Sequence, residues 1–156
     1  MGGGSPSIWV LPLSSGQKDE RKSMRWLTED FNQFNAKLSP DGKWIAYDSD
    51  EAVRDEIFVR TFPNPAGGKW QVSTNGGTRP VWSRDGKELY YIALDGNLMA
   101  ADVKSRSDGS FGADAAHVLF NPHTGANRTD SFDVTKDGRF SFPEERSNLP
   151  LPSRWS

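Results

Sequence analysis

The chain has 156 residues, with 19 Lys and Arg against 21 Asp and Glu for a formal charge of −2. One domain of ordinary size fits that length, and the near-neutral balance (pI about 5.7) speaks against a nucleic-acid protein, which carries a clustered basic surplus. No stretch approaches the ~18 consecutive apolar residues of a membrane span, and the absence of cysteine excludes disulfides and thiolate chemistry.

Residues 1–7, opening Met-Gly-Gly-Gly-Ser, read as a linker or tag rather than a signal peptide. Strands are expected at 8–13 and 24–28 with a polar loop between them. They continue at 34–38, 44–48, 56–62 and 70–73, then at 79–82, 88–92, 98–103 and 117–120, and finally at 131–134 and 139–142. Each run is rich in aromatic or β-branched residues and is bounded by Gly, Pro, Asn, Asp or Ser. Helical spacing fits nowhere for more than two turns. The tail, 143–156, holds three prolines and no periodic pattern, and reads as irregular. The expected fold class is all-β, and 15 Gly and 10 Pro demand frequent turns.

A repeat underlies these strands. Leu38-Ser-Pro-Asp-Gly-Lys-Trp-Ile-Ala-Tyr47 is echoed by Trp82-Ser-Arg-Asp-Gly-Lys-Glu-Leu-Tyr-Tyr91, and more weakly by Val134-Thr-Lys-Asp-Gly-Arg-Phe-Ser-Phe142. The Asp-Gly pairs of these echoes start at Asp41, Asp85 and Asp137, 44 and 52 residues apart. A period of about 40–50 residues built from short strands is the range of propeller blades. The chemistry agrees, because Asp bonds its own backbone in a turn and Gly accepts positive φ. Asp41, Asp85 and Asp137 are therefore read as turn formers. Trp44, Trp70, Trp82, Tyr47, Tyr90 and Phe142 are read as packing between blades, and His117 as structural.

The stretches Phe-Asn-Ala-Lys-Leu-Ser-Pro-Asp-Gly-Lys-Trp-Ile-Ala-Tyr, Glu56-Ile-Phe-Val-Arg60 and Gly-Lys-Trp-Gln-Val-Ser-Thr74 resemble TolB-like (WD40-like) β-propeller repeats, as in the C-terminal propeller of bacterial serine/threonine protein kinases. The resemblance covers about 8–142. It lacks sialidase Asp-boxes and the Trp-Asp signature of WD repeats. It implies that 34–38, 79–82 and 131–134 are innermost strands, with blade boundaries near 29, 74 and 126. The segments 8–13 and 24–28 then form the outer half of one blade, and the last two strands an inner half.

Twelve strands make three blade equivalents, too few to close a ring of roughly four to eight blades. A homodimer in which the inner half of one chain pairs with the outer half of the other gives two composite blades and a six-bladed propeller, the number the resemblance implies. The alternative is a fragment that aggregates through its open edges.

Ligands of such a ring meet the loops that enter the innermost strands: 29–33, 75–79 and 123–130. Asp30, Asn32, Arg79 and Asn127 are the expected ligand-binding residues for a small molecule or peptide. Duplicated Arg79 and Arg128 would favour carboxylate or phosphate, or else pair with Asp30 or Asp130. With only His117 and His123 in the chain, a divalent metal (zinc or calcium) would take four ligands from the two copies, a pair of His123 with a pair of Asp30 or Asp130. No Gly-x-Ser-x-Gly elbow, phosphate-binding loop or kinase motif is present. The leading expectation is an interaction or sensing module without kinase activity, with no nucleic-acid or membrane partner. The alternative is a metal-dependent hydrolase of esters or phosphotriesters with His123, Asp130 and Arg128 as catalytic residues. The compartment, cytoplasm or periplasm, is left open.

Overall fold

The computed structural model describes residues 5–11, 23–122 and 132–142. A hairpin of β1 (Trp9–Val10) and β2 (Met24–Arg25) comes first. A four-stranded antiparallel meander follows: β3 (Gln33–Leu38), β4 (Trp44–Ser49), β5 (Glu56–Thr61) and β6 (Lys69–Gln71). The next sheet runs through β7 (Thr78–Trp82), β8 (Glu88–Ile92) and β9 (Leu98–Ser105). β10 (Phe111–Ala113) pairs with the second half of β9, and β11 (His117–Phe120) with its first half. A last hairpin joins β12 (Asp133–Val134) to β13 (Phe140–Ser141). The structure is all-β, relieved among the described residues by one 3₁₀ turn at Pro65–Gly67. Every expected strand overlaps an observed one, and β10 is additional.

The repeated turns are built alike. In the first, Ser39 Oγ donates to Asp41 Oδ1 at 2.6 Å, the same oxygen accepts the Lys43 N–H at 3.1 Å, and the Trp44 N–H donates to Ser39 Oγ at 3.0 Å. Ser83, Asp85, Lys87 and Glu88 reproduce this at 2.8, 3.0 and 2.9 Å. Thr135 and Asp137 repeat the hydroxyl–carboxylate bond, with the Arg139 N–H on Thr135 Oγ1 at 3.1 Å. Gly42, Gly86 and Gly138 follow at φ 72°, 71° and 80°, where a Cβ would be strained. The same Asx chemistry closes two further hairpins, at Asp95-Gly96 between β8 and β9 and at Asp108-Gly109 between β9 and β10.

Strand alternation sends side chains to both faces of each sheet, and three apolar seams result. Ile45, Tyr47 and Phe58 meet Ile8 and Leu27 of the β1–β2 hairpin. Trp44, Ile57 and Val59 face the other way, onto Trp82, Leu89 and Tyr91 of the second sheet. Tyr90, Leu98 and Ala100 meet Phe132 beside the last hairpin. Fully burying one such side chain favours folding by about 1.5–3 kcal/mol. Trp44, Trp82, Tyr47 and Tyr90 are buried, and Trp70 and Phe142 partly so. Phe111 of β10 is 1% exposed and reaches into the middle seam, its ring 5.5 Å from Trp44, 5.6 Å from Trp70 and 6.4 Å from Trp82.

Successive sheets are joined in one recurring way. The Gly77 N–H donates to Asp55 O at 2.9 Å, and the Gln33 N–H to Pro6 O at 3.0 Å. Within each outer pair, the Val72 N–H donates to Ile57 O, and correspondingly the Trp26 N–H to Ile8 O. The β1–β2 hairpin thus stands to the first sheet as β5–β6 stand to the second.

Candidate functional site at the head of the innermost strands

β3 and β7 each open a sheet, and each is bulged: pairing slips between Phe34 and Lys37 and between Thr78 and Val81. The bulge carries a non-glycine residue with left-handed φ, Asn35 at 52° and Arg79 at 57°. Both lie three residues before the last residue of their strand, Leu38 and Trp82, so the bulge belongs to the repeat. Asn tolerates this conformation, whereas Arg adopts it at a cost of roughly 1–2 kcal/mol.

One buried carboxylate holds both bulges. Asp48, near the end of β4, accepts the Asn35 Nδ2 at 3.0 Å and the backbone N–H of Arg79 at 3.3 Å. Burial, the largest influence, pushes its carboxyl above the usual range, with the Asp55 charge adding to the rise and the two hydrogen bonds opposing it. The Arg79 guanidinium, half-buried, has no hydrogen bond or ion pair among the described residues. β3 exposes Phe34 near this end, and Lys37 and Leu38 towards the Asp41 turn.

Asn32 closes the preceding loop, its N–H donating to Asp50 Oδ1 at 2.9 Å and its Nδ2 to Asp50 Oδ2. Asp30 is exposed, and its carbonyl accepts Ser5 Oγ at 3.4 Å. In the seam beneath, Gln33 and Ser49 are buried cross-strand partners, and Gln33 Oε1, Gln33 Nε2 and Ser49 Oγ have no partner among the described residues. Ordered water fills polar spots of this kind.

Of the expected site residues, Asp30, Asn32 and Arg79 lie on the loops or strands at this end, and Arg79 is not paired with Asp30. His123, Asn127, Arg128 and Asp130 fall outside the described residues. No group of three His, Cys, Asp or Glu side chains that could hold a metal occurs among the described residues. His117 is exposed on β11. Asn35 and Asp48 went unmarked in the sequence; the signal was the matched position of Asn35 and Arg79 within the repeat. At the opposite end an open groove of about 670 Å³ lies between the Asp41 and Asp85 turns, over Trp44 and beside Lys87 and Lys104. No helix among the described residues is long and apolar enough to cross a membrane.

No family model matches the chain, and no curated protein does. Among solved structures it is similar to TolB from Acinetobacter baumannii, with 22% identity and a TM-score of 0.56 over 85% of this chain and 32% of that one. The chain therefore spans about a third of the length of the structure it matches. The fold is that of a partial TolB-like β-propeller, with the two meanders as blades.

Proposed function

We propose that the chain is a β-propeller binding module whose innermost strands take an anionic ligand, a carboxylate-bearing peptide or small molecule. The observation that carries this reading is Arg79 itself, a half-buried cation on a strained bulge at the start of β7, its charge acting on the Asp48 carboxyl and its strand packed along β3 with the exposed Phe34. A guanidinium whose backbone is held in place suits a carboxylate, which it can bind with two parallel hydrogen bonds. Two copies about a two-fold axis complete six blades and present Arg79 twice. Calorimetric titration with oligo-glutamate and oligo-lysine peptides at low ionic strength tests it. Oligo-glutamate should bind, at least about tenfold more weakly after Arg79→Ala. Equal binding of both peptides, or no effect of the substitution, overturns it.

The second reading, a zinc- or calcium-dependent hydrolase using His123, Asp130, Asp30 and Arg128, rests on loop positions alone. Ester or phosphotriester turnover lost on chelation and in His123→Ala would support it. A metal-free protein that binds oligo-glutamate normally would set it aside.

A further inference from the structure

Among the described residues two hairpins stand as two-stranded sheets beside the four-stranded blade. β1 pairs with β2 on one side only, and β13 with β12 on one side only. The two hairpins are complementary halves of a blade. β12 and β13 are joined by the Thr135–Asp137 turn, the counterpart of the turns that join the two inner strands of each complete sheet. Just before β1, Pro6 O accepts from the following sheet as Asp55 O does just before β5, and Ile8 O accepts the Trp26 N–H as Ile57 O accepts that of Val72.

Their apolar faces also correspond. Ile8 is buried against the first sheet, so alternation turns Trp9 and Leu11 away from it, and they are 59% and 49% exposed. At the far end Phe120 of β11 is 42% exposed, with its ring 5.7 Å from Phe140 and 6.3 Å from Phe142. A lone chain leaves both patches to water.

We propose that β1 of a second copy pairs antiparallel with β13, forming a four-stranded blade β12–β13–β1–β2 drawn from two chains. Trp9 and Leu11 of one copy then lie over Phe120, Phe140 and Phe142 of the other. This deepens the two-fold assembly proposed above and rests on it; the two-fold axis makes the contact twice. The register follows from the complete blade, where Ile45 faces Arg60, Ala46 faces Val59 and Tyr47 faces Phe58. Ile8 holds the place of Ile57 by its carbonyl bond, so Trp9, Val10 and Leu11 stand for Phe58, Val59 and Arg60. Phe140 packs back onto Tyr90 at 4.9 Å, as Ile45 packs back onto the first hairpin, so Phe140, Ser141 and Phe142 stand for Ile45, Ala46 and Tyr47. Leu11 therefore opposes Phe140, Val10 opposes Ser141, and Trp9 opposes Phe142.

The chain has no cysteine, so a double variant, Val10→Cys with Ser141→Cys, reads this register directly. Directly opposed strand residues bring Cβ atoms close to disulfide range. Mild oxidation should give a covalent species of twice the 17.3 kDa chain mass, absent from the single variants. Trp9→Glu, at a residue already exposed in the single chain, should keep the circular dichroism spectrum and weaken the dimer roughly thirtyfold or more. A dimeric mass by light scattering without the crosslink overturns the composite blade and leaves the two-fold assembly standing. A crosslinked monomer means that the edges close within one chain and overturns the blade. An uncrosslinked monomer overturns blade and assembly together.

Discussion

The backbone N–H of Arg79, at the start of the second blade, donates to the buried carboxylate of Asp48 in the first, 3.3 Å away. Because Asp48 also accepts Asn35, one acceptor couples the innermost strands of two blades where a ligand would enter. Two consequences for this junction, one for the turns at the other end and one for the packing between the sheets can be measured.

Burial raises the affinity of Asp48 for its proton, and the Asp55 charge adds to this against the opposing hydrogen bonds. The folded state therefore keeps the proton to higher pH than the unfolded chain. The stability this group contributes is complete below its ordinary value of 3.8 and is lost as pH rises through the folded value. Asp48→Asn removes the titration while its amide oxygen still accepts the Arg79 N–H. The Tm of the variant relative to wild type should rise between about pH 4 and about pH 7, as read by calorimetry; a falling difference would contradict the assignment.

Arg79 separates stability from binding. Arg79→Gly relieves the left-handed φ of 57° and should stabilise the protein by about 1 kcal/mol in urea titrations. The same substitution should remove oligo-glutamate binding. Loss of stability on this change would mean that the guanidinium braces the fold.

The Asp85 turn should carry a pH signature of opposite sign. The Lys87 N–H, followed by the Ser83 hydroxyl, holds its carboxyl below the usual 3.8. Its contribution is present above that value and is lost as pH falls through the folded one. Asp85→Asn should lower the Tm at neutral pH, with the deficit closing in melts below about pH 3. A deficit that persists in acid would point to side-chain geometry rather than charge.

Phe111 closes the middle seam over three tryptophans. Phe111→Ala should cost about 3–5 kcal/mol, much of a typical domain's total stability. It should also shift the tryptophan fluorescence of the folded protein towards the red as water reaches Trp44 and Trp70. A loss under about 1 kcal/mol would show that the seam holds without its latch.

The strands and the turns between inner strands were legible because their causes are local. Asp41, Ser39 and Gly42 satisfy one another within a few residues, and the unbroken apolar run Trp44-Ile-Ala-Tyr47 suits a strand buried on both faces. β10 was not legible: three residues, Phe111-Gly-Ala, carry no periodicity, although the Asp108-Gly109 turn before them announced a hairpin. The head of the innermost strands was half legible. Arg79 and Asn32 were marked by their place in the loops, but the carboxylate that fixes the Arg79 backbone sits in the run Trp-Ile-Ala-Tyr-Asp, which reads as core. Only the fold brings Asp48 across to a residue 31 positions away.

The turns that join the inner strands complete their hydrogen bonds within a span of six residues and ask nothing of the neighbouring blade. Duplicating or deleting one 44-residue segment (the spacing of Asp41 and Asp85) would carry its turn along intact and leave the apolar seams and the hydrogen bonds between sheets to be re-matched. Ring size in such a molecule is therefore a matter of copy number, open to change by recombination in whole units before any single side chain has to adapt.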